Sequence, residues 1–413
     1  MGASKSTGVV RDRDVVPRPI RFLLIALLGV GGLISAPFLG RGGPLPMTTL
    51  LDVWILLLAV WMFCATRIRT SGVLLLIFAY AITRIFPAVV DGSPLEDFLQ
   101  AYRWVWYLAV VALAVGKKWP RIVSLVNVTW FLIGLAILKG IATRVLLGAT
   151  VRPGLLLENN FEIPLFAGLV AVLYRHLGRY RVFSVLAVGL LTVVSGSRSG
   201  IIAFVILAVY AVTQNKRANL FVRYLAYMSI PAAGGAAYFL FAERFESEGQ
   251  IDRLNFFAVF LREVDDWSPL QWIFGTTPIT PLSSSACNRL SYFVNLFSSE
   301  GDGSCYSVIL HSFLMRVVFD AGIVGLVLSF GLLWYLMRRA QVQTALTLTL
   351  IAVAVANSAS VSGPNNPYVL LPIVFAILLS HLPQAPWLTE LTADEQRRDR
   401  RRLATQRPLT PTP

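Results

Sequence analysis

Three stretches of this 413-residue chain join residue types able to do chemistry at spacings that simple structure does not require. Ser195-Gly196-Ser197-Arg198-Ser199-Gly200 sets a guanidinium among small residues between two apolar segments. Arginine offers a planar fork of donors matched to phosphate, and small neighbours let a phosphate approach the backbone. The run lacks the Gly-Lys-Ser/Thr order of a P-loop, which argues against that nucleotide-binding device. An arginine snorkelling to lipid headgroups fits the same residues. Arg253, in Ile251-Asp252-Arg253-Leu254-Asn255-Phe256-Phe257, is a second such cation. With Arg198 it would clamp a diphosphate and neutralise charge growing on a leaving group; a salt bridge to Asp252 or Glu248 is its structural alternative. His311-Ser312 precedes Gly322-Ile323-Val324-Gly325. Histidine exchanges a proton near neutrality, whereas a lone one is more often a structural residue, as expected of His176 and His381 at helix ends. Gly322 and Gly325 fit close helix packing below His311.

These residues need a scaffold, and the composition defines its class. Hydrophobic residues make up 56% and charged residues 14%, with a mean hydropathy of +0.67. A soluble domain carries about a quarter charged residues, so a cytosolic enzyme, a secreted disulfide scaffold and a disordered chain are excluded. The expected fold is an all-α polytopic membrane protein with about twelve transmembrane helices. They fall near 21–40, 49–66, 71–89, 99–116, 122–143, 162–175, 182–196, 201–213, 224–242, 317–337, 344–360 and 368–383. An even count places both termini on one side. With the N-terminus cytoplasmic, most of the 36 lysines and arginines fall on inner segments, as the positive-inside rule requires. That placement explains the net charge of +14 without a nucleic-acid partner. The basic run at 397–402 reads as a topology and headgroup signal. No small-residue cleavage pattern follows Leu39, so the first apolar run is expected to stay as a helix. The organisation is a cytoplasmic tail at 1–20, one membrane domain at 21–383 and a basic cytoplasmic tail at 384–413.

Within that domain, residues 243–316 form one large outer loop. Phe256, Phe257, Phe260 and Leu261 recur at helical spacing, as do Leu290, Phe293 and Leu296, so short helices should lie on the outer membrane face or cap a cavity. Cys287 and Cys305 share this loop, where an oxidising compartment permits a disulfide. No cluster with metal-ligand spacing accompanies them, and no metal or cofactor is expected. Further outer polarity lies at Asp91, Glu96 and Asp97, at Arg144, Arg152, Glu158, Asn159 and Asn160, and from Ser362 to Asn366. The chemistry therefore faces outward, where nucleotides are not supplied, and its energy must arrive in the substrate. Arg84, Arg103 and Lys139 are the charges expected nearest the midplane.

The order and spacing of these motifs resemble those of the bacterial O-antigen ligases and the related oligosaccharide polymerases. The ligase signature is His-[Asn/Ser/Gln], nine residues, Gly, two residues, then Gly, Thr or Tyr; His311, Ser312, Gly322 and Gly325 match it without a gap. Ser197-Arg198-Ser199 resembles the family's Ser-Arg-Ser/Ala element. Arg253 ahead of Pro269-Leu270 and Gly275 resembles its loop arginine upstream of a Pro-Leu...Gly segment. Arg152-Pro153-Gly154 through Asn159-Asn160 resembles, less closely, an Arg/Gly...Asn-Asn stretch before the sixth span. The resemblance covers most of residues 21–383. It implies a metal-independent C-type glycosyltransferase of the bacterial cytoplasmic (inner) membrane. The donor would be an undecaprenyl-diphosphate-linked oligosaccharide on the periplasmic side, the acceptor a glycan or glycolipid, and other polysaccharide-assembly membrane proteins its partners. It also implies that Arg198 and Arg253 grip the diphosphate while His311 orients or deprotonates the acceptor. Arg152, Glu158, Asn160, Ser197 and Ser199 would contact substrate, with Glu158 as an alternative base or as the helix N-cap. Polymerase and ligase readings both fit, the former being favoured because no protein-acceptor appendage is evident. A transporter or lipid flippase is the alternative from another class, although no internal repeat supports it. A peptidoglycan polymerase would need an outer-loop aspartate, and no matching motif surrounds Asp252, Asp265 or Asp266.

Overall fold

A computed structural model describes residues 14–40, 42–65, 67–148, 151, 153–214, 220, 221, 224, 228 and 252–382. Apart from one isolated bridge between Val15 and Lys118, the described residues hold helices and turns only. The helices are α1 Arg18–Ser35, α2 Met47–Ala65, α3 Ser71–Val90, α4 Leu95–Ala101, α5 Arg103–Ala114, α6 Ile122–Leu147, α7 Asn159–Leu173, α8 Arg181–Ser195 and α9 Arg198–Gln214. After them come α10 Asp252–Glu263, α11 Pro269–Phe274, α12 Ser284–Arg289, α13 Phe313–Arg339, α14 Thr344–Ser358 and α15 Pro367–Leu379.

Among the described residues, 6 helical segments are long and apolar enough to cross a membrane: Arg18–Ser35, Met47–Cys64, Ser71–Val90, Ile122–Leu147, Gly178–Ser195 and Phe313–Arg339. Arg103–Ala114, Ser199–Gln214, Thr344–Ser358 and Pro367–Leu379 are apolar but shorter. The expected ninth span at 224–242 lies outside the described residues except for Tyr224 and Met228, as does the tail at 384–413. At the centre, α7 packs on α9, α14 and α15. Helix α15 is buried along its whole length, which suits an element surrounded by helices rather than by lipid. By contrast α3 exposes Leu75, Phe78, Ile82, Phe86 and Val89.

The chain alternates between two faces. One gathers the arginine-rich connections around 67–69, 117–121, 175–181 and 338–339. There Asp14 joins three elements, accepting from Lys117 Nζ at 2.8 Å and Arg69 Nη2 at 3.1 Å. Burial alone would raise the Asp14 carboxyl, but the hydrogen bonds and charges of Lys117 and Arg69 outweigh it and hold the group below its ordinary value. The opposite face carries the His311-Ser312 turn, the Ser197-Arg198-Ser199 turn and the described loop residues 252–312.

Two breaks have identifiable causes. The expected span at 99–116 divides at Tyr102 into α4 and α5. The Asn365 amide occupies the ladder there: its Nδ2 donates to Gln100 O at 2.8 Å and its Oδ1 accepts from Trp104 N at 2.6 Å. Those two backbone groups would have bonded each other in a continuous helix. Helix α13 is interrupted at Gly322, with φ 63° and ψ −165°, a region essentially open only to glycine. Its close neighbour is the backbone around Gly275 of the loop: a Cβ on either glycine would collide with the other's chain. Gly322 thus serves a break and a loop contact, whereas the sequence suggested packing between spanning helices.

Gly322→Ala should therefore destabilise the protein by about 2–5 kcal/mol through strain and overpacking, read as a lower midpoint of thermal unfolding in detergent. Asp14→Asn should cost about 1–3 kcal/mol by leaving the buried Lys117 ammonium without its counter-charge. Because the folded pKa of Asp14 lies below the ordinary 3.8, this contribution is present above that pH and is lost as pH falls through the folded pKa. The difference in melting temperature between wild type and Asp14→Asn should shrink accordingly on acidification.

Candidate functional site

His311 sits in a turn built to hold it. A 3-10 turn at Ser307–Leu310 ends at His311, which adopts φ 57° and ψ −32°, and Ser312 caps α13 by accepting from Met315 N at 3.4 Å. A left-handed conformation costs a non-glycine residue of order 1–2 kcal/mol, so the surroundings must impose it. They do so from both sides. Ser307 Oγ donates to buried Asp320 at 2.6 Å, and Ser312 Oγ donates to Ser358 O at 3.0 Å. Phe313 N adds a bond to Val361 O at 2.9 Å. The half-buried imidazole lies against Phe256 and Phe293, with ring centroids 5.2 and 5.8 Å away.

Phe256 belongs to α10, the helix whose first turn carries Arg253. Its buried face is Phe256, Val259 and Phe260, while Phe257 and Leu261 are exposed, so the expected amphipathic loop helix forms and rests on the histidine turn. The expected helical spacing of Leu290, Phe293 and Leu296 is realised as a 3-10 segment, Ser291–Leu296, with a non-helical Phe293. Cys287 and Cys305 are joined by a disulfide, which closes this part of the loop. Buried Asp97 of α4 accepts from Ser298 Oγ at 3.1 Å and Ser299 N at 3.2 Å, fastening the loop to the helical body.

The Ser-Arg-Ser turn is organised by Asn160. Its Oδ1 accepts from Ser199 Oγ at 2.9 Å and Ser197 Oγ at 3.4 Å, on either side of Arg198. Ser197 Oγ also accepts from Gly200 N at 3.1 Å, capping the start of α9. Gly196 takes φ 62° at the end of α8, and a Cβ there would collide with the Arg144 guanidinium. Arg144 Nε in turn donates to Val194 O at 2.8 Å, placing a further cation beside this turn. The side chains of Arg198 and Arg253 and the whole of Arg152 lie outside the described residues; the backbone sets Arg198 at the start of α9 and Arg253 in the first turn of α10.

A short hydrogen-bonded path joins the two turns. Asn357 Nδ2 donates to Asn160 O at 2.9 Å and its Oδ1 accepts from Gly363 N at 3.1 Å. The next residue, Ser358, supplies the carbonyl that receives Ser312. The path thus runs from Ser197 and Ser199 through Asn160, Asn357 and Ser358 to Ser312. Asn357 and Ser358 carry no motif and lie in an apolar stretch, so only their polarity within the eleventh expected span marked them. Asp320 is signalled likewise, as a carboxylate inside an apolar run.

Glu158 is exposed and is the N-cap residue of α7, with no side-chain cap bond. The carboxylate that organises its segment is Glu162, buried, accepting from the backbone N–H groups of Leu155, Leu156 and Leu157. Lys139, from the facing helix α6, donates to Ser35 O at 2.9 Å and Gly42 O at 2.7 Å. Both side chains line one small cavity with Pro153, Gly154 and Ser195. The two groups anchor connections between helices: Glu162 holds 155–157, and Lys139 ties Ser35 to Gly42.

Asn357→Ala should cut the path between the turns and cost about 1–3 kcal/mol by leaving buried backbone partners unsatisfied, measured by thermal unfolding. Cys305→Ser should destabilise the loop by up to about 3 kcal/mol and increase its cleavage in limited proteolysis, since the bridge spans a sequence separation of 18. No family model matches the chain, and no curated relative matches it.

Proposed function

We propose that the protein is a membrane-embedded glycosyltransferase of surface polysaccharide (O-antigen or exopolysaccharide) biosynthesis, transferring or polymerising an undecaprenyl-diphosphate-linked oligosaccharide on the outer side of the cytoplasmic membrane. The observation that carries this reading is the hydrogen-bonded path from the Ser197-Arg198-Ser199 turn through Asn160, Asn357 and Ser358 to His311-Ser312. It links an arginine turn and a strained histidine turn on one face, and α10, which bears Arg253, lies on that histidine. The motifs resembling those of the ligases and polymerases thus belong to one connected region.

In this reading twelve spans, the ninth at 224–242, place both termini in the cytoplasm and the loop outside. The split between an arginine-rich face and a hydrogen-bonded polar face supports that orientation, as does a disulfide in the loop. An acceptor hydroxyl attacks the anomeric carbon of the donor as His311 takes its proton. The bond from that carbon to the diphosphate breaks, and the diphosphate leaves with the electron pair, its charge stabilised by Arg198 and Arg253. Polymerisation uses a second lipid-linked unit as acceptor; the alternative, ligation, moves the finished glycan to lipid A-core.

Secondary transport or lipid flipping is the second reading, favoured by interrupted helices and buried charges such as Arg316 and Asp320. Against it, Asp320, Lys139 and Glu162 each hold a turn or loop near the polar-network face.

Glycan transfer in proteoliposomes, from a lipid-diphosphate oligosaccharide without added metal or nucleotide, separates these readings. His311→Ala should lower the rate by about 10²–10⁴-fold and each of Arg198→Ala and Arg253→Ala by about 10²–10³-fold, with folded protein retained. A product ladder would indicate polymerase and a single addition ligase. Unchanged transfer in all three variants would overturn the assigned site, and movement of the lipid-linked glycan without transfer would favour the transport reading.

A further inference from the structure

Helix α11 is exposed along almost every residue: Leu270 at 67%, Trp272 at 38%, Ile273 at 41% and Phe274 at 52%. A contiguous apolar surface of this kind is unfavourable in water. Its position in the fold says what covers it. The C-terminal end of α11 packs into the break of α13 at Gly322, and Thr276 N donates to Phe319 O at 2.8 Å. Arg84 of α3 reaches the same place, donating to Asp320 O at 3.2 Å and Phe274 O at 3.4 Å. Arg84 stands six residues before the end of α3 at Val90, a rise of about 9 Å at helical pitch. Beyond it towards that end, α3 still exposes Ile85, Phe86, Val89 and Val90. The tip of α11 is therefore level with a part of α3 that lies below further lipid-type surface.

The backbone of this segment meets the requirement of such a place, where polar groups must find protein partners. Ser268 and Gln271 form a reciprocal capping box, and Gly275 N bonds to Gln271 O at 2.7 Å. The carbonyls freed by the break in α13 receive Thr276, Arg84 and Tyr102.

We propose that residues 269–274 form a re-entrant hook inserted into the membrane from the loop side, with Leu270, Trp272, Ile273 and Phe274 against the acyl chains of that leaflet. The argument rests on α3 and α13 crossing the membrane and is independent of the catalytic reading.

The test uses full-length protein with Cys64→Ala and the Cys287–Cys305 bridge intact, carrying one bimane-labelled cysteine at Leu270→Cys, Ile273→Cys or Phe274→Cys. Phe86→Cys on α3 is the lipid reference, and Tyr292→Cys, 86% exposed on the same loop, is the aqueous reference. The vesicles are phosphatidylcholine and phosphatidylglycerol without polyprenyl lipid, so quenching reports bilayer chains. Brominated acyl chains should reduce fluorescence at all three hook positions as much as at Phe86, and iodide in the buffer should quench only Tyr292. Iodide quenching of the hook positions equal to that at Tyr292, with no loss from brominated lipid, would overturn the proposal. Three independent positions keep the outcome readable if one variant fails to fold.

Discussion

In an apolar slab a broken helix leaves N–H and C=O groups that water cannot reach, so each break must be repaired by another part of the protein. This requirement governs the polar-network face. Asn365 replaces one bond of the α4–α5 ladder with two of its own. Arg84, Tyr102 and Thr276 cover the carbonyls released at Gly322. Glu162 collects three successive N–H groups of the loop before α7. At both helix breaks the repair is a long-range contact, so there local irregularity and tertiary assembly are one event. That is why the irregular turns carrying Arg198 and His311 stand on a fixed frame.

The two faces differ in how they use charge. On the arginine-rich face the cations are many, largely exposed and connected chiefly through Asp14; exposed pairs contribute little, and their placement follows from topology. On the other face the buried charges hold turns and loops, Lys139 and Glu162 through backbone groups and Asp97 and Asp320 through serines. Buried Asp320 illustrates the difference. Through Ser307 it holds the histidine turn, while its backbone carbonyl accepts from Arg84 and Tyr102 at the break. Loss of that carboxylate would release the histidine turn and leave the two bonds to the carbonyl in place.

The re-entrant hook and the catalytic reading meet at the same helix. The first half of α13, from Phe313 to Ala321, carries the histidine turn at its start and receives α11 at its end. Anchoring that half-helix from the membrane side would restrain His311 without any residue of the hook touching substrate.

Composition, apolar periodicity and basic connections were enough to mark an all-helical membrane protein, because lipid demands long apolar helices and the distribution of arginine reports side. The expected windows at 49–66, 71–89 and 344–360 lie close to α2, α3 and α14 for that reason. The sequence alone also marked Ser197, Arg198, His311, Gly322 and the cysteine pair. It left open what tertiary contact alone decides. Gly322 looked like a packing residue between spans and is a break against Gly275, because only assembly brings the two backbones together. The window at 99–116 looked continuous and is divided, because Asn365, over two hundred residues away, competes for its hydrogen bonds. Asn357 and Asp320 have no motif; their roles arise from what stands opposite them once the helices pack, and no local pattern encodes partners as distant along the chain as Asn160, Arg84 and Tyr102.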